Sequence, residues 1–124
     1  MIRGVRGATT VQENDEKQII EATAAMLEEM VSKNNIEPED VVQVLISATP
    51  DLTKTFPAKA LRSFRNDWTY VPVMCMQELD IESGLSKCIR VMLTARTALS
   101  QPHIHHVYHG QAIKLRPDLK EEHQ

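Results

Sequence analysis

Residues 14–35 run NDEKQIIEATAAMLEEMVSKNN, and the spacing of apolar side chains in this stretch decides the fold. Ile19, Ile20, Thr23, Met26, Leu27, Met30 and Val31 recur three and four residues apart, which gathers them on one stripe of a helix. Asn14 is the expected N-cap, with Asp15 and Glu16 in the first turn, where carboxylates suit the helix dipole. Asn34 and Asn35 close the helix. A stripe this long must be buried, and the segments on either side of it have the character of strands.

Upstream, IRGVRGATTV at 2–11 is short, β-branched and glycine-containing, as a strand with close neighbours would be. Alternation sets Arg6 on the same face as Gly4 and Ala8, and Arg3 on the other. Downstream, Pro38-Glu39-Asp40 reads as a turn. VVQVLISA at 41–48 is nearly continuous in apolar residues, the pattern of a central strand buried on both faces. Pro57 opens a short helix that carries Lys59 and Arg62 on one side. Residues 70–77 and 89–96 read as further strands, separated by an acidic loop with a turn at Gly84, and 104–109 as a last strand. The expected fold class is α+β, a mixed β-sheet with helices on one face. Such a sheet leaves an apolar face and edges open, and a symmetric oligomer would cover them.

The chain has 124 residues, enough for one domain and too few for two cores. The expected domain is 1–119, followed by a polar tail at 120–124. Hydrophobic residues make up 42% of the chain, but Trp, Tyr and Phe total only five. The core must therefore be built from aliphatic side chains and Met. A net charge of −3 gives no long-range attraction for nucleic acid or an anionic membrane. The apolar runs are too short to cross a bilayer. Two cysteines and the lack of a secretory signal point to reduced thiols in a cytoplasmic setting.

The residues that could carry chemistry are mostly cations. Arg6 and Arg90 lie in strands, and Arg90 has apolar flanks that make full exposure unfavourable without an anionic partner. Lys59, Arg62 and Arg116 add positive charge. Glu78 is a candidate pocket carboxylate at the end of a strand. Cys75 reads as an inert thiol or a nucleophile, with no histidine tied to it in sequence. His103, His105 and His109 would share one strand face, with His106 and Tyr108 on the other. Recognisable partner ligands for a metal are missing, so no metal site is expected. There is no phosphate loop or nucleophile elbow. These patterns stop at a small domain with an anion pocket and do not select a reaction.

The order of short segments goes further. RGVRGATTV at 3–11, SATPDL at 47–52, FPAKA at 56–60, VPV at 71–73 and CMQE at 75–78 resemble the monofunctional chorismate mutases of the AroH class. KCIRVM at 87–92, HVY at 106–108 and LRPDL at 115–119 continue the likeness. It implies a homotrimeric pseudo-α/β-barrel with active sites at subunit interfaces, no cofactor, and rearrangement of chorismate to prephenate in the synthesis of phenylalanine and tyrosine. By resemblance, Arg6, Cys75, Glu78, Arg90 and Tyr108 carry the reaction. Phe56, Ala58, Lys59, Arg62, Val73, Leu115 and Arg116 form the rest of the wall and rim. Met74 stands where the family commonly has Thr, which removes a hydroxyl and leaves only backbone contacts there. The competing readings are a trimeric imine or enamine deaminase with Glu78 as its acid–base group, and a non-catalytic module that binds an aromatic-pathway acid.

Overall fold

A computed structural model describes residues 1–64 and 66–115 of the chain. Strand β1 (Ile2–Thr10) leads into helix α1 (Glu16–Lys33), a 3₁₀ turn (Pro38–Asp40) and β2 (Val41–Ala48). Helix α2 (Lys59–Phe64) and a second 3₁₀ turn (Asn66–Trp68) precede β3 (Val73–Gln77) and β4 (Cys88–Arg96). Strand β5 (Val107–Tyr108) lies between two further 3₁₀ turns, Gln101–His103 and Gly110–Leu115.

The five strands form one mixed sheet in the order β3-β2-β4-β1-β5. The middle strand β4 runs antiparallel to both β1 and β2, while the outer pairs β2–β3 and β1–β5 are parallel. Both helices pack on the same core, and so cover one face of the sheet. There Ile19, Met26, Leu27 and Met30 of α1 meet Val5, Val44, Ile46, Ile89, Val91 and Leu93, all buried. The helix and the α+β class match the expectation from sequence.

Four local expectations are corrected. The N-cap of α1 is Asp15, whose carboxylate accepts the Gln18 N–H at 3.0 Å. Asn14 instead exchanges two hydrogen bonds with Thr53, joining the helix entry to the loop after β2. Strand β2 is buried on one face only: Val44 and Ile46 are buried, Leu45 and Ser47 are half-buried, and Gln43 is exposed. The reason is that no helix among the described residues covers the second face, which also leaves Met74 65% and Met76 46% exposed. The third strand starts at Val73, because Tyr70 and Val71 lie in the turn after Trp68. The last strand shrinks to two residues. His103 sits in a 3₁₀ turn and His105 bonds to α1 through its backbone, so the histidines do not share a strand face.

Close approach of α1 to the sheet depends on Gly7. A Cβ there would stand 2.4 Å from Met30 Sδ and 3.0 Å from Met26 Sδ, and both methionines are fully buried. Gly7→Ala should therefore destabilise the fold by about 1–3 kcal/mol, the usual cost of overpacking. Urea unfolding checks this, and an unchanged midpoint would mean that helix and sheet are not tightly packed at this point.

Candidate active site

The uncovered face of the sheet carries the cations. Pairing of β1 with β4 sets Ala8 opposite Arg90 and Arg6 opposite Met92. On its other side Arg90 faces Ser47 of β2, and Ala8 in turn faces Tyr108 of β5. A row therefore crosses four strands as Ser47, Arg90, Ala8, Tyr108, with small residues on both sides of the arginine. Arg6 shares a face with Gly4 and Ala8, as alternation requires. Arg3 turns to the other face, where its Nε donates to the Leu99 carbonyl at 3.3 Å.

Arg90 is held by a carboxylate. Its Nε donates to Glu78 Oε2 at 3.0 Å, and Ser47 Oγ donates to the same oxygen at 3.0 Å. Glu78 lies one residue past β3, where its N–H still bonds to the Ala48 carbonyl. The Arg90 side chain is 48% exposed, more than its sequence neighbours suggested. Ile89 and Val91 are buried on the opposite face, so they do not enclose it. Cys88, two residues before Arg90, is a buried neighbour that sequence reasoning passed over. Burial pushes its thiol pKa up, and the Arg90 guanidinium opposes this only in part.

Arg6, Ser47, Glu78, Arg90, Tyr108 and Leu115 line one cleft of about 380 Å³. Within it the Tyr108 hydroxyl is buried and has no hydrogen-bond partner among the described residues. A buried hydroxyl without a partner is costly, so a bound oxygen acceptor would be favoured there.

The other expected site residues lie elsewhere on the chain. Phe56, Lys59 and Cys75 line a second cleft of about 550 Å³, between the loop after β2 and edge strand β3. Cys75 pairs with Ile46 in the β2–β3 register and Val73 with Val44, which turns both toward the helix side. Phe56 is 70% exposed, Lys59 makes an exposed ion pair with Glu16, and Arg62 is exposed on α2. Ala58 packs against the core. Met74 projects from the uncovered face beside Leu45. Arg116 and the expected tail lie outside the described residues. One chain thus brings together Arg6, Glu78, Arg90, Tyr108 and Leu115, and carries Phe56, Lys59 and Cys75 in a separate cleft. Ser47 was missed from sequence, because only the sheet register sets it against Arg90 and Glu78. Among the described residues, no three His, Cys, Asp or Glu side chains converge as metal ligands would. No helix among them is long and apolar enough to cross a membrane.

Strand β5, which delivers Tyr108, is tied down by α1. The buried Asn34 amide bonds both the N–H and the carbonyl of His105, and Glu29 pairs with His109. Just beyond, Gly110 takes φ +58° against Thr10, whose hydroxyl accepts the Gln111 N–H. A side chain in that conformation, this close to Thr10, would be strained.

Fold and cleft together define an α+β protein with a cleft lined by two arginines on the open face of its sheet. More particularly, residues 2–119 match the family Chorismate mutase type I, and the chain belongs to that family. It is 55% identical to the chorismate mutase AroH of Bacillus subtilis over 119 residues, 96% of this chain and 93% of that protein. It is 37% identical to the chorismate mutase AroH of Thermus thermophilus over 121 residues, 97% of this chain and 98% of that protein. Its structure is similar to a chorismate mutase from Clostridium thermocellum, with a TM-score of 0.85 and 40% identity. That likeness covers 89% of this chain and 96% of the other.

The Glu29–His109 pair has a pH signature. Burial pushes the Glu29 carboxyl up, but hydrogen bonds from His109 and Lys33, and their positive charges, outweigh it and lower its pKa. The folded chain then holds this proton less tightly than the unfolded chain. The contribution to stability is full above the ordinary carboxylate range and is lost as pH falls through the lowered value. Glu29→Gln should lower the urea midpoint at neutral pH, with the gap to wild type closing from about pH 5 toward 3. A gap that stayed constant over that range would contradict the assignment.

Proposed function

We propose that this chain is a chorismate mutase that converts chorismate to prephenate in the cytoplasm, as a homotrimer with each active site built from two copies. Family membership and near full-length identity to two chorismate mutases support the reaction. The observation that carries the site is the cleft lined by Arg6, Arg90 and Tyr108, whose buried hydroxyl has no partner among the described residues. The reaction is a concerted [3,3] rearrangement: one C–O bond breaks as one C–C bond forms, with no proton transfer and no covalent intermediate. It needs a fixed geometry and stabilisation of charge on the ether oxygen, and these are what Arg90, anchored by Glu78, and a second cation in the same cleft can supply.

In this reading Arg90 donates to the ether oxygen and to a substrate carboxylate. Its Nε bond to Glu78 holds the guanidinium plane before substrate arrives, so little reorganisation is left for the reaction itself. A lysine offers a mobile point charge and cannot present the same planar fork. Arg6 and Tyr108 hold the enolpyruvyl carboxylate, and Glu78 accepts from the ring hydroxyl.

The second cleft completes the enclosure from a neighbouring copy. Cys75 comes to lie beside Glu78, while Phe56, Ala58 and Val73 of that copy, with Leu115, supply shape. Lys59, Arg62 and Arg116 raise the potential for a dianion, and Met74 contributes only its backbone. Two facts support an assembly of this kind. The open face presents exposed Met74, Met76 and Met92, an apolar surface of the sort that association covers. Phe56, Lys59 and Cys75 also line a cleft separate from the one that holds Arg6, Glu78, Arg90 and Tyr108.

A well-aimed donor to developing charge is worth about 3–4 kcal/mol. Arg90→Ala should therefore lose at least about 10²–10³ in kcat, and Arg90→Lys should recover little of it. A variant without the guanidinium that kept more than about a tenth of wild-type kcat would rule out the ether-oxygen role. For wild type, kcat should be nearly flat between about pH 6 and 9, whereas acid–base chemistry would give a bell. Both are read from the loss of chorismate absorbance.

A further inference from the structure

We infer that His106 is a positioning residue for Arg6, its imidazole standing in for a strand rung that the fold leaves out. The inference rests on the reading above, in which Arg6 grips a substrate carboxylate. The contact itself is direct: the Arg6 backbone N–H donates to His106 Nδ1 at 2.9 Å.

The parallel β1–β5 ladder explains why a side chain is needed there. Val107 and Tyr108 lie opposite Gly7 and Ala8, and the Ala8 carbonyl accepts the His109 N–H at 2.9 Å. Backbone groups of alternate residues point to the same side of a strand, so Arg6, like Ala8, turns its backbone toward β5. One rung further back, the acceptor for the Arg6 N–H would be the His105 carbonyl. That carbonyl is taken by the Asn34 amide at the end of α1, at 2.9 Å, and Asn34 also accepts the His105 N–H at 2.8 Å. The chain therefore leaves the sheet before His106. The half-buried imidazole fills the vacant position and keeps the N–H from remaining unpaired.

A backbone N–H can only donate, so Nδ1 must present its lone pair and the ring proton of the neutral form sits on Nε2. The residue two places on is Tyr108. The segment His106-Val107-Tyr108 thus sends one side chain to the backbone of Arg6 and another into the cleft beside its guanidinium. Both groups that would hold the enolpyruvyl carboxylate are set by the same short strand. Without the imidazole, the edge of β1 loosens at the residue whose side chain binds substrate.

The test uses the full-length assembled enzyme, with His106→Leu, which removes the acceptor, and His106→Asn, whose Oδ1 can take the place of Nδ1. Amide hydrogen exchange at Arg6 is read by NMR alongside steady-state kinetics on chorismate. His106→Leu should raise KM by about tenfold with kcat within about threefold of wild type, because a carboxylate grip acts on ground and transition states alike. The Arg6 amide should exchange at least about tenfold faster in that variant. His106→Asn should restore both the KM and the exchange protection to within about threefold of wild type. Wild-type KM in the Leu variant, a loss confined to kcat, unchanged Arg6 exchange, or no rescue by Asn would each overturn the inference. Failure of wild type to turn over chorismate would instead count against the proposed function, with the exchange data still deciding the role of the hydrogen bond.

Discussion

The antiparallel register of β1 on β4 is the constraint from which the rest follows. With Ala8 opposite Arg90, Val5, Leu93 and Ile89 go under the helices while both arginines face outward. A slip of one residue would reverse every side chain. A slip of β1 would press Arg6 into an aliphatic core without a partner, at a cost of several kcal/mol for the unpaired charge. The burial that stabilises one face thereby specifies the chemistry of the other, and no separate device is needed to place the cations side by side.

Upon that register, a few polar contacts fix orientation. Glu78 and Ser47 set the plane of the Arg90 guanidinium from the β2–β3 side. From the opposite side, Asn34 and Glu29 of α1 hold the segment that carries His106 and Tyr108. The long helix thus serves two ends: its apolar stripe closes the core, and its C-terminal polar groups anchor the short edge strand of the cleft. A pericyclic reaction asks for this kind of rigidity, since the enzyme contributes geometry and field and no reacting group of its own.

Much of the architecture was legible in the sequence, because periodicity reports burial directly. The helix stripe, the bounds of β2 and the shared face of Arg6, Gly4 and Ala8 all follow from it. Errors arose where tertiary contacts chose between local options of similar merit. Asn14 and Asp15 are both good caps, and the reach of Asn14 to Thr53 leaves the role to Asp15. A run as apolar as VVQVLISA looks buried on both sides, but in one chain helices cover only one of them. The histidine-rich segment looked like a strand until Asn34 drew His105 away from the sheet. Arg6 and Arg90 could be singled out from composition and context. Ser47 and His106 could not, because what sets them against Glu78 and Arg6 is strand pairing between distant segments. The family resemblance supplied the remaining site residues, and the separation of Phe56, Lys59 and Cys75 from the cleft of Arg6 and Arg90 became visible only in three dimensions.

The claim that two copies share each active site is tested most directly by mixing two defective variants. Arg90→Ala disables the open-face cleft, and the double change Lys59→Glu with Arg62→Glu reverses the charge on α2 while leaving that cleft intact. Each should be nearly inactive alone on chorismate. Unfolded and refolded together, they should regain a substantial fraction of wild-type activity, because some mixed assemblies bring an unaltered cleft against an unaltered α2. Mixtures that stay as inactive as the separate variants, although mass spectrometry shows that mixed assemblies have formed, would contradict the account.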